Sequence, residues 1–398
     1  MKIMKILHTS DWHLGQSFMG KSREEEHRAF LSWLLETIEK ENISVLIVAG
    51  DIFDTATPPN YALELYYNFL TKLSFSSCEN IIITAGNHDS VATLKAPKQL
   101  LKALNIHVVT SGDENEDEVI EVYKRDELVG LVCAVPFLRD YVVRQSVVAQ
   151  TMNDKEYSLS QGIKEHYKSV YKEALKISGE KSVPIIATGH LTTVGSKVSD
   201  SEREIYIGGT LDIDSGFLGE YFDYVALGHL HINQKVGCEH VRYSGSPIPL
   251  SFSESSSQKK VNIIEFDNKI IDVEELDIPL YRPLLVIRGN VELVLKELKA
   301  IADKQTWIEV HLNDENPFYA NQAIREKAQE LELILLAVKI DKKQEALHSE
   351  DFDVISLDEL SPLEVFERRM QKDNKEDEVF VKELTTKFKQ IVNEVQNS

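Results

Sequence analysis

The stretch Val45-Leu46-Ile47-Val48-Ala49-Gly50-Asp51-Ile52-Phe53-Asp54 carries the decisive pattern of this chain. Its opening apolar run has no polar alternation, which predicts a strand buried on both faces. A glycine ends that strand, and two carboxylates follow at once. Similar strands are predicted at Lys5 to His8, Ile81 to Ala85, Leu128 to Ala134, Val183 to Thr188 and Tyr224 to Leu227. Between them, Arg28 to Glu39 places Phe30, Leu31, Leu34, Leu35 and Ile38 on one helical face, and Tyr61 to Leu73 also reads as helix. Doubly covered strands separated by helices indicate an α/β architecture. Val261 to Phe266 and Ile270 to Glu274, joined at Asp267-Asn268-Lys269, form a predicted hairpin that closes this domain over residues 1–280.

A smaller unit, 281–340, follows Pro279. Leu284 to Arg288, Val291 to Ala302, Thr306 to Leu312, Tyr319 to Leu331 and Leu333 to Ile340 alternate as β-α-β-α-β. Residues 341–398 are acidic and poor in core residues. There Ser361-Pro362-Leu363-Glu364 has the residues of a helix start, with Ser as N-cap and Glu closing a capping box. Val381, Leu384, Phe388, Ile391 and Val395 make one apolar stripe on a last helix. A tail of this kind packs back on the body or docks on a partner.

Composition is that of a globular protein: 398 residues, 42% hydrophobic and 27% charged. There is no run of about 18 apolar residues to span a membrane, and the short apolar N-terminus lacks a signal-peptide cleavage site. Cys78, Cys133 and Cys238 are scattered and odd in number, which fits a reducing cytoplasm. The net charge of −21 opposes DNA binding by this chain alone, since phosphate contacts draw on Lys and Arg. Divalent ions on carboxylates, or a basic partner, would soften that objection.

Chemistry collects where the strands end. Asp11-Trp12-His13, Gly50-Asp51-Ile52-Phe53-Asp54, Gly86-Asn87-His88-Asp89, Gly189-His190 and Gly228-His229-Leu230-His231 each follow a predicted strand. In open α/β sheets the carboxyl ends of strands are where ligands bind. The donors are carboxylate, amide and imidazole without thiolate, which suits Mn²⁺, Fe²⁺, Zn²⁺ or Mg²⁺. Asp11 and His13, like His229 and His231, are spaced to face one side of an extended segment. Asp51 has two oxygens with which to bridge two ions, and such a pair can bind a phosphate and activate a water. Singly, each motif is commonly a surface loop, a helix cap or a satisfied core histidine. Together, in order at five strand ends, they indicate a site.

This ordered set resembles the calcineurin-like metallophosphoesterase superfamily. His8-Thr9-Ser10-Asp11-Trp12-His13-Leu14-Gly15, Ala49 to Thr55 with Pro58-Pro59, Tyr243-Ser244-Gly245-Ser246-Pro247 and Leu360-Ser361-Pro362-Leu363-Glu364-Val365-Phe366 more closely resemble the SbcD family, the exonuclease subunits of bacterial SbcCD complexes. The resemblance covers essentially the whole chain. It implies two stacked mixed sheets flanked by helices, a small α+β DNA-capping domain and a helical tail for the ATPase partner. It implies one ion on Asp11, His13, Asp51 and His231, and a second on Asp51, Asn87, His190 and His229. Both would be Mn²⁺, with Mg²⁺ as the alternative. His88 would protonate the leaving 3′ oxygen and Asp54 would orient it. The implied reaction is 3′-to-5′ exonuclease action on duplex ends, with endonuclease action on hairpins and single strands. The implied partners are DNA, an SbcC-type Rad50-like ATPase and a second copy of the chain within a heterotetramer. Tyr61, Leu65, Tyr66, Phe69 and Leu70 are either contributors to that dimer or ordinary core.

Two other readings differ at specific residues. Phosphoprotein phosphatases usually carry Arg after the second Asp of the Gly-Asp motif and Glu after Asn-His, where this chain has Thr55 and Asp89. A non-catalytic scaffold would have lost ligands, and none is missing here. No nucleotide-binding Walker motif is present, so ATP chemistry would come from the partner.

Overall fold

The computed structural model describes residues 3–113, 117–143, 152–199, 201–202, 213–267, 270–314 and 317–340. In chain order the elements are β1 (Ile3–Thr9), β2 (Ser17–Phe18), β3 (Lys21–Ser22), α1 (Glu24–Lys40), β4 (Val45–Ala49), α2 (Asn60–Leu73), β5 (Asn80–Thr84), α3 (Val91–Lys95), α4 (Lys98–Ala103) and β6 (Ile106–Val109). Then come β7 (Val119–Lys124), β8 (Glu127–Cys133), α5 (Asp140–Val143), α6 (Met152–Ser178), β9 (Ile185–His190), α7 (Gly216–Tyr221), β10 (Tyr224–Gly228), β11 (Gln234–Val236), β12 (Cys238–Tyr243), β13 (Lys260–Asp267) and β14 (Ile270–Asp277). The last are β15 (Leu284–Gly289), α8 (Val291–Ala300), β16 (Trp307–Leu312), α9 (Pro317–Glu330) and β17 (Ile334–Ile340). The expected start of the tail helix at Ser361 and the Val381–Val395 stripe lie outside the described residues.

Two six-stranded mixed sheets stack face to face, with orders β14-β13-β1-β4-β5-β6 and β11-β12-β10-β9-β8-β7. Their strands lack polar alternation for a definite reason. Ile6, Val45, Ile47 and Ile82 meet Val132, Ile186, Tyr224 and Ala226 between the sheets. Their strand neighbours Leu7, Leu46, Val48, Ile81 and Ile83 point the other way, under α1 and α2. Leu131, Ile185, Val225 and Leu227 do the same beneath α6 and α7. Every side chain of β4 and β5 is therefore buried. Leu65, Tyr66, Phe69 and Leu70 belong to this core, and Tyr61 packs half-buried against it. That settles the core reading of those four side chains.

Strand boundaries follow local chemistry. β9 starts at Ile185, later than the expected Val183, because Pro184 has no N–H to give a ladder; its carbonyl instead accepts from Leu131. At the site end the two sheets are tied by a buried histidine. His8 on β1 accepts from the Tyr224 hydroxyl at Nδ1 (3.0 Å) and donates from Nε2 to the Leu227 carbonyl (3.2 Å). Burial pulls the pKa of His8 down to about 3.

Residues 1–341 pack as one compact unit. Within it β15-β16-β17 form a parallel sheet. One face buries Ile287, Ile308, Val310 and Leu312 under α8 and α9. The other brings Leu284 and Trp307 against Phe18 and Phe252 of the large sandwich. Trp307 packs against two guanidiniums, Arg23 at 5.1 Å and Arg282 at 5.0 Å from its ring. One buried carboxylate binds both: Glu26 Oε1 lies 3.0 Å from Arg23 Nε and 2.8 Å from Arg282 Nε. Arg282 and Trp307 come from the small unit, and Arg23 and Glu26 from α1 and its entry, so this joint fixes one on the other.

Two outcomes follow from these buried groups. Glu26→Gln leaves two guanidiniums around Trp307 without their shared counter-charge and should cost about 3 kcal/mol of stability. Urea unfolding measures it, and no change would show that the joint carries no net charge pairing. His8 is neutral when folded and near 6.5 when unfolded, so acid favours the unfolded chain through the extra proton it binds. Stability should fall by about 2 kcal/mol between pH 6.5 and 5 from this group alone, and His8→Gln should flatten that slope.

Candidate metal centre

The parallel strands β1, β4, β5, β9 and β10 deliver their carboxyl ends to one place. The loop after β1 runs beside the loop after β4 through Asp11 N to Gly50 O (3.0 Å), His13 N to Asp51 O (3.1 Å) and Leu14 N to Ile52 O (2.9 Å). Asp89 joins the loop after β5 to them, its carboxylate accepting from Ile52 N (3.1 Å), Phe53 N (3.0 Å) and Gly86 N (2.9 Å). Burial and the charge of Asp51 raise the Asp89 pKa to about 6 against the pull of those three amides. The sequence motif assigns Asp89 no role of its own; in the structure it holds the loops together.

The backbone at the site is unusual. Asp11 (φ 52°), His13 (φ 46°), Asp51 (φ 50°) and His229 (φ 94°) all occupy left-handed conformations. Non-glycine residues enter this region at a cost, and they collect where function holds them there.

The ligand-type side chains converge as the sequence indicated. Asp11, His13 and His231 offer donor atoms within 4.8 Å of one another, as do His13, Asp51 and His88, and Asp11, Asp51 and His190. His190 Nε2 lies 3.3 Å from Asp51 Oδ2 and 2.9 Å from Asn87 Oδ1. The His229 ring packs edge-on to His190 at 5.3 Å, and its backbone N–H donates to Asp11 Oδ1 (2.8 Å). Asp54 sits beside the cluster: its carboxylate Oδ1 is 3.3 Å from His13 Nδ1, and its main-chain oxygen is 2.7 Å from His88 Nδ1. Its hold on His88 through that bond uses the backbone, so a change of the Asp54 side chain leaves the bond in place.

One orientation recurs among the histidines. His190 Nδ1 faces the Ala49 carbonyl (3.1 Å), His88 Nδ1 the Asp54 carbonyl and His231 Nδ1 the Ser201 hydroxyl (2.6 Å). Outward acceptors at Nδ1 leave Nε2 to point inward, the arrangement that prepares imidazole as a metal ligand. Burial pulls the His190 pKa down, but the Asp51 charge and hydrogen bond more than offset it and hold it at about 9. Burial raises the Asp51 carboxyl, yet His190 and His13 keep it well below the ordinary range. His229 is pushed well below its usual value by burial and by His190.

The residues fit divalent cations. The donors are buried oxygens and imidazole nitrogens with no thiolate, and both ring nitrogens of His13 are buried without a hydrogen bond. Two buried carboxylates amid imidazoles need positive charge, which a cation supplies.

Room for the cluster depends on glycine. A Cβ at Gly86 would lie 2.1 Å from Asp51 Oδ1, and one at Gly50 (φ +87°) 2.2 Å from His190 Nδ1. Saturating Mn²⁺ or Mg²⁺ should raise the melting temperature, by about 2.7 kcal/mol of added stability at a hundredfold excess over Kd. Gly86→Ala, which crowds Asp51, should remove the metal-induced rise. A Gly86→Ala chain that keeps the full rise would show that the ion binds elsewhere.

The sequence matches the calcineurin-like phosphoesterase family over residues 4–233. Over residues 280–374 it matches a family described as the type 5 capsule protein repressor C-terminal domain. The D subunit of nuclease SbcCD from Escherichia coli (strain K12) is 41% identical over 380 residues, 92% of each chain. The proteins of that name from Rhodobacter capsulatus and Bacillus subtilis are 34% and 31% identical, over 72% and 77% of this chain and 71% and 75% of their own. Among the described residues no helix is long and apolar enough to cross a membrane. The chain thus belongs to the calcineurin-like phosphoesterases and, within them, to the SbcD family of SbcCD nuclease subunits.

Proposed function

We propose that this chain is the nuclease of a DNA-end-processing complex, hydrolysing DNA phosphodiesters with two metal ions, most favourably Mn²⁺. The observation that carries the reading is that Asp11, His13, Asp51, His88, His190 and His231 bring donor atoms together, with Asn87 bonded to His190 and the His229 ring packed against it. Asp11, His13, Asp51 and His231 would hold one ion, and Asp51, Asn87, His190 and His229 would hold the other. Bound there, the pair supplies a polarised phosphate and a water of lowered pKa. The protein's own work is placement and proton transfer. Asp51 Oδ1 accepts the backbone N–H of His88 (2.9 Å), which sets His88 against the cluster. The Asp54 carbonyl takes His88 Nδ1–H, so Nε2 is the nitrogen that gives its proton to the departing 3′ oxygen.

Polarity is 3′-to-5′ on duplex ends, with endonucleolytic cutting of hairpins and single strands. The small unit, 281–340, caps the DNA. A cleft of about 370 Å³ supports this, lined by Gln16, Ser17 and Met19 next to the metal loop and by Arg288, His311 and Lys339 on the cap sheet. Residues 341–398 attach an SbcC-type Rad50-like ATPase, and two copies of each chain form a cytoplasmic heterotetramer.

The test is cleavage of a labelled DNA hairpin with Mn²⁺, with and without the ATPase partner and ATP. His88→Ala should lower cleavage by about 10² to 10⁴-fold, the usual worth of a general acid, while keeping metal and DNA binding. Cleavage unchanged by His88→Ala would overturn the acid role. Turnover of a simple phosphate monoester without any DNA cutting would instead favour a phosphatase.

A further inference from the structure

The Tyr243-Ser244-Gly245-Ser246-Pro247 motif has no place among the metal ligands, and neither has the charged pair Glu254 and Lys259 nearby. Both lead to His231. Gly245 (φ +79°) lies so close to that residue that a Cβ would sit 2.8 Å from the His231 carbonyl oxygen. Ser246 N donates to the same oxygen at 3.2 Å. Lys259 is buried, and its ammonium spends three donors at once: on the His231 carbonyl (3.0 Å), on the Ser246 hydroxyl (2.9 Å) and on Glu254 Oε2. The other Glu254 oxygen, Oε1, accepts from the Ser201 hydroxyl, whose oxygen lies 2.6 Å from His231 Nδ1. Glu202 Oε1 accepts the His231 N–H at 2.8 Å. A closed ring thus runs from the His231 imidazole through Ser201, Glu254 and Lys259 back to the His231 main chain.

Proton bookkeeping gives this ring a direction. A carboxylate has no proton to donate, so Ser201 must give its single hydroxyl proton to Glu254. The serine oxygen is then an acceptor, and His231 Nδ1 must bring its own hydrogen. That places the lone pair of the neutral ring on Nε2, the nitrogen left for the cluster with Asp11 and His13. A buried ion pair is a weak way to gain stability, since desolvation consumes the Coulombic gain. Its value here is positional.

We propose that Ser201, Glu254 and Lys259 are positioning residues that set the tautomer and the seat of His231, and so determine occupancy of the ion site formed by Asp11, His13, Asp51 and His231. The inference rests on the reading of His231 as a ligand. His231 differs in this from His88 and His190, whose Nδ1 partners are plain carbonyls that a side-chain substitution cannot remove.

The experiment is a Mn²⁺ titration of the full chain, followed by calorimetry and by EPR of free ion. Two bound ions are expected for the parent. Ser201→Ala and Glu254→Gln should weaken one of the two by about 10 to 100-fold, the usual effect of removing a histidine's outer partner. Ser201→Thr, which keeps the hydroxyl, should restore parental affinity, a rescue that a merely structural role would not show. His231→Ala is run beside them. If it leaves both ions bound as in the parent, the ligand assignment itself fails. If it abolishes one ion while Ser201→Ala and Glu254→Gln bind both normally, the ligand stands and the positioning role is overturned. Should Glu254→Gln unfold, as thermal melting would show, Ser201→Ala against Ser201→Thr decides alone.

Discussion

A buried carboxylate with no water to solvate it must find positive charge, and Asp51 is where this chain meets that demand. Its Oδ2 lies 3.6 Å from His13 Nε2 and 3.3 Å from His190 Nε2, while Oδ1 accepts the His88 amide. Asp11 and Asp89 are buried close by, and their carboxyls are pushed up, first by burial and also by the charge of Asp51. Without cations Asp11 and Asp89 resist ionisation, while His13 and His190 hold their protons more tightly. The left-handed backbones at Asp11, His13, Asp51 and His229 belong to the same constraint. They are the cost of aiming side chains inward from loops too short to turn more gently, and the packed sandwich beneath supplies the energy.

That sandwich is what lets loops from two different sheets share one pocket. β1, β4 and β5 come from one sheet, β9 and β10 from the other. Ligand geometry therefore depends on the sheets being fixed in register to within a fraction of an ångström. His8 serves this directly, since its two ring nitrogens bind the side chain of Tyr224 and the main chain of Leu227, both on β10, which ends one residue before His229. A polar bridge is directional where the apolar layer around it is not, so a buried histidine that costs stability in acid secures alignment at neutral pH.

What could be read in advance follows from how local each signal is. β4 was legible to the residue, because an unbroken apolar pentad followed by glycine has few other interpretations. The motif residues at the strand ends stood out only as an ordered set, since each alone is a common loop or cap. The 27-residue helix α6 was missed, although its buried residues Leu159, Ile163, Tyr167, Val170 and Ala174 keep a helical spacing. Charged and polar residues fill the rest of it and dilute the stripe. β12 was missed because only Val241, Arg242 and Tyr243 of its six residues are buried, and one of these is an arginine. Contacts that join distant residues left no local trace. Glu26 and Arg282 are 256 positions apart, and Ser201 and Glu254 are 53 apart. Serine, glutamate and lysine in polar loops carry no pattern that separates a buried relay from a solvated surface.

The net charge of −21 takes on a different meaning once placed in the structure. Part of it is internal: Asp11, Asp51, Asp89, Glu26 and Glu254 are buried and face histidines, arginines, a lysine or backbone amides. These charges are paired within the strand-end cluster, the joint at Trp307 and the His231 ring. On the face of the small sheet beside the loop after β1, Trp307, Glu309 and His311 stand in a row along β16, with Arg288 Nη1 3.0 Å from His311 Nδ1 and Lys339 Nζ 2.9 Å from Glu309. The apolar end of that face seats the small sheet on the sandwich, and Arg288, His311 and Lys339 line the cleft at its other end around Glu309. Association responds to such local groupings of charge more than to the total, so the overall −21 does not by itself describe that cleft.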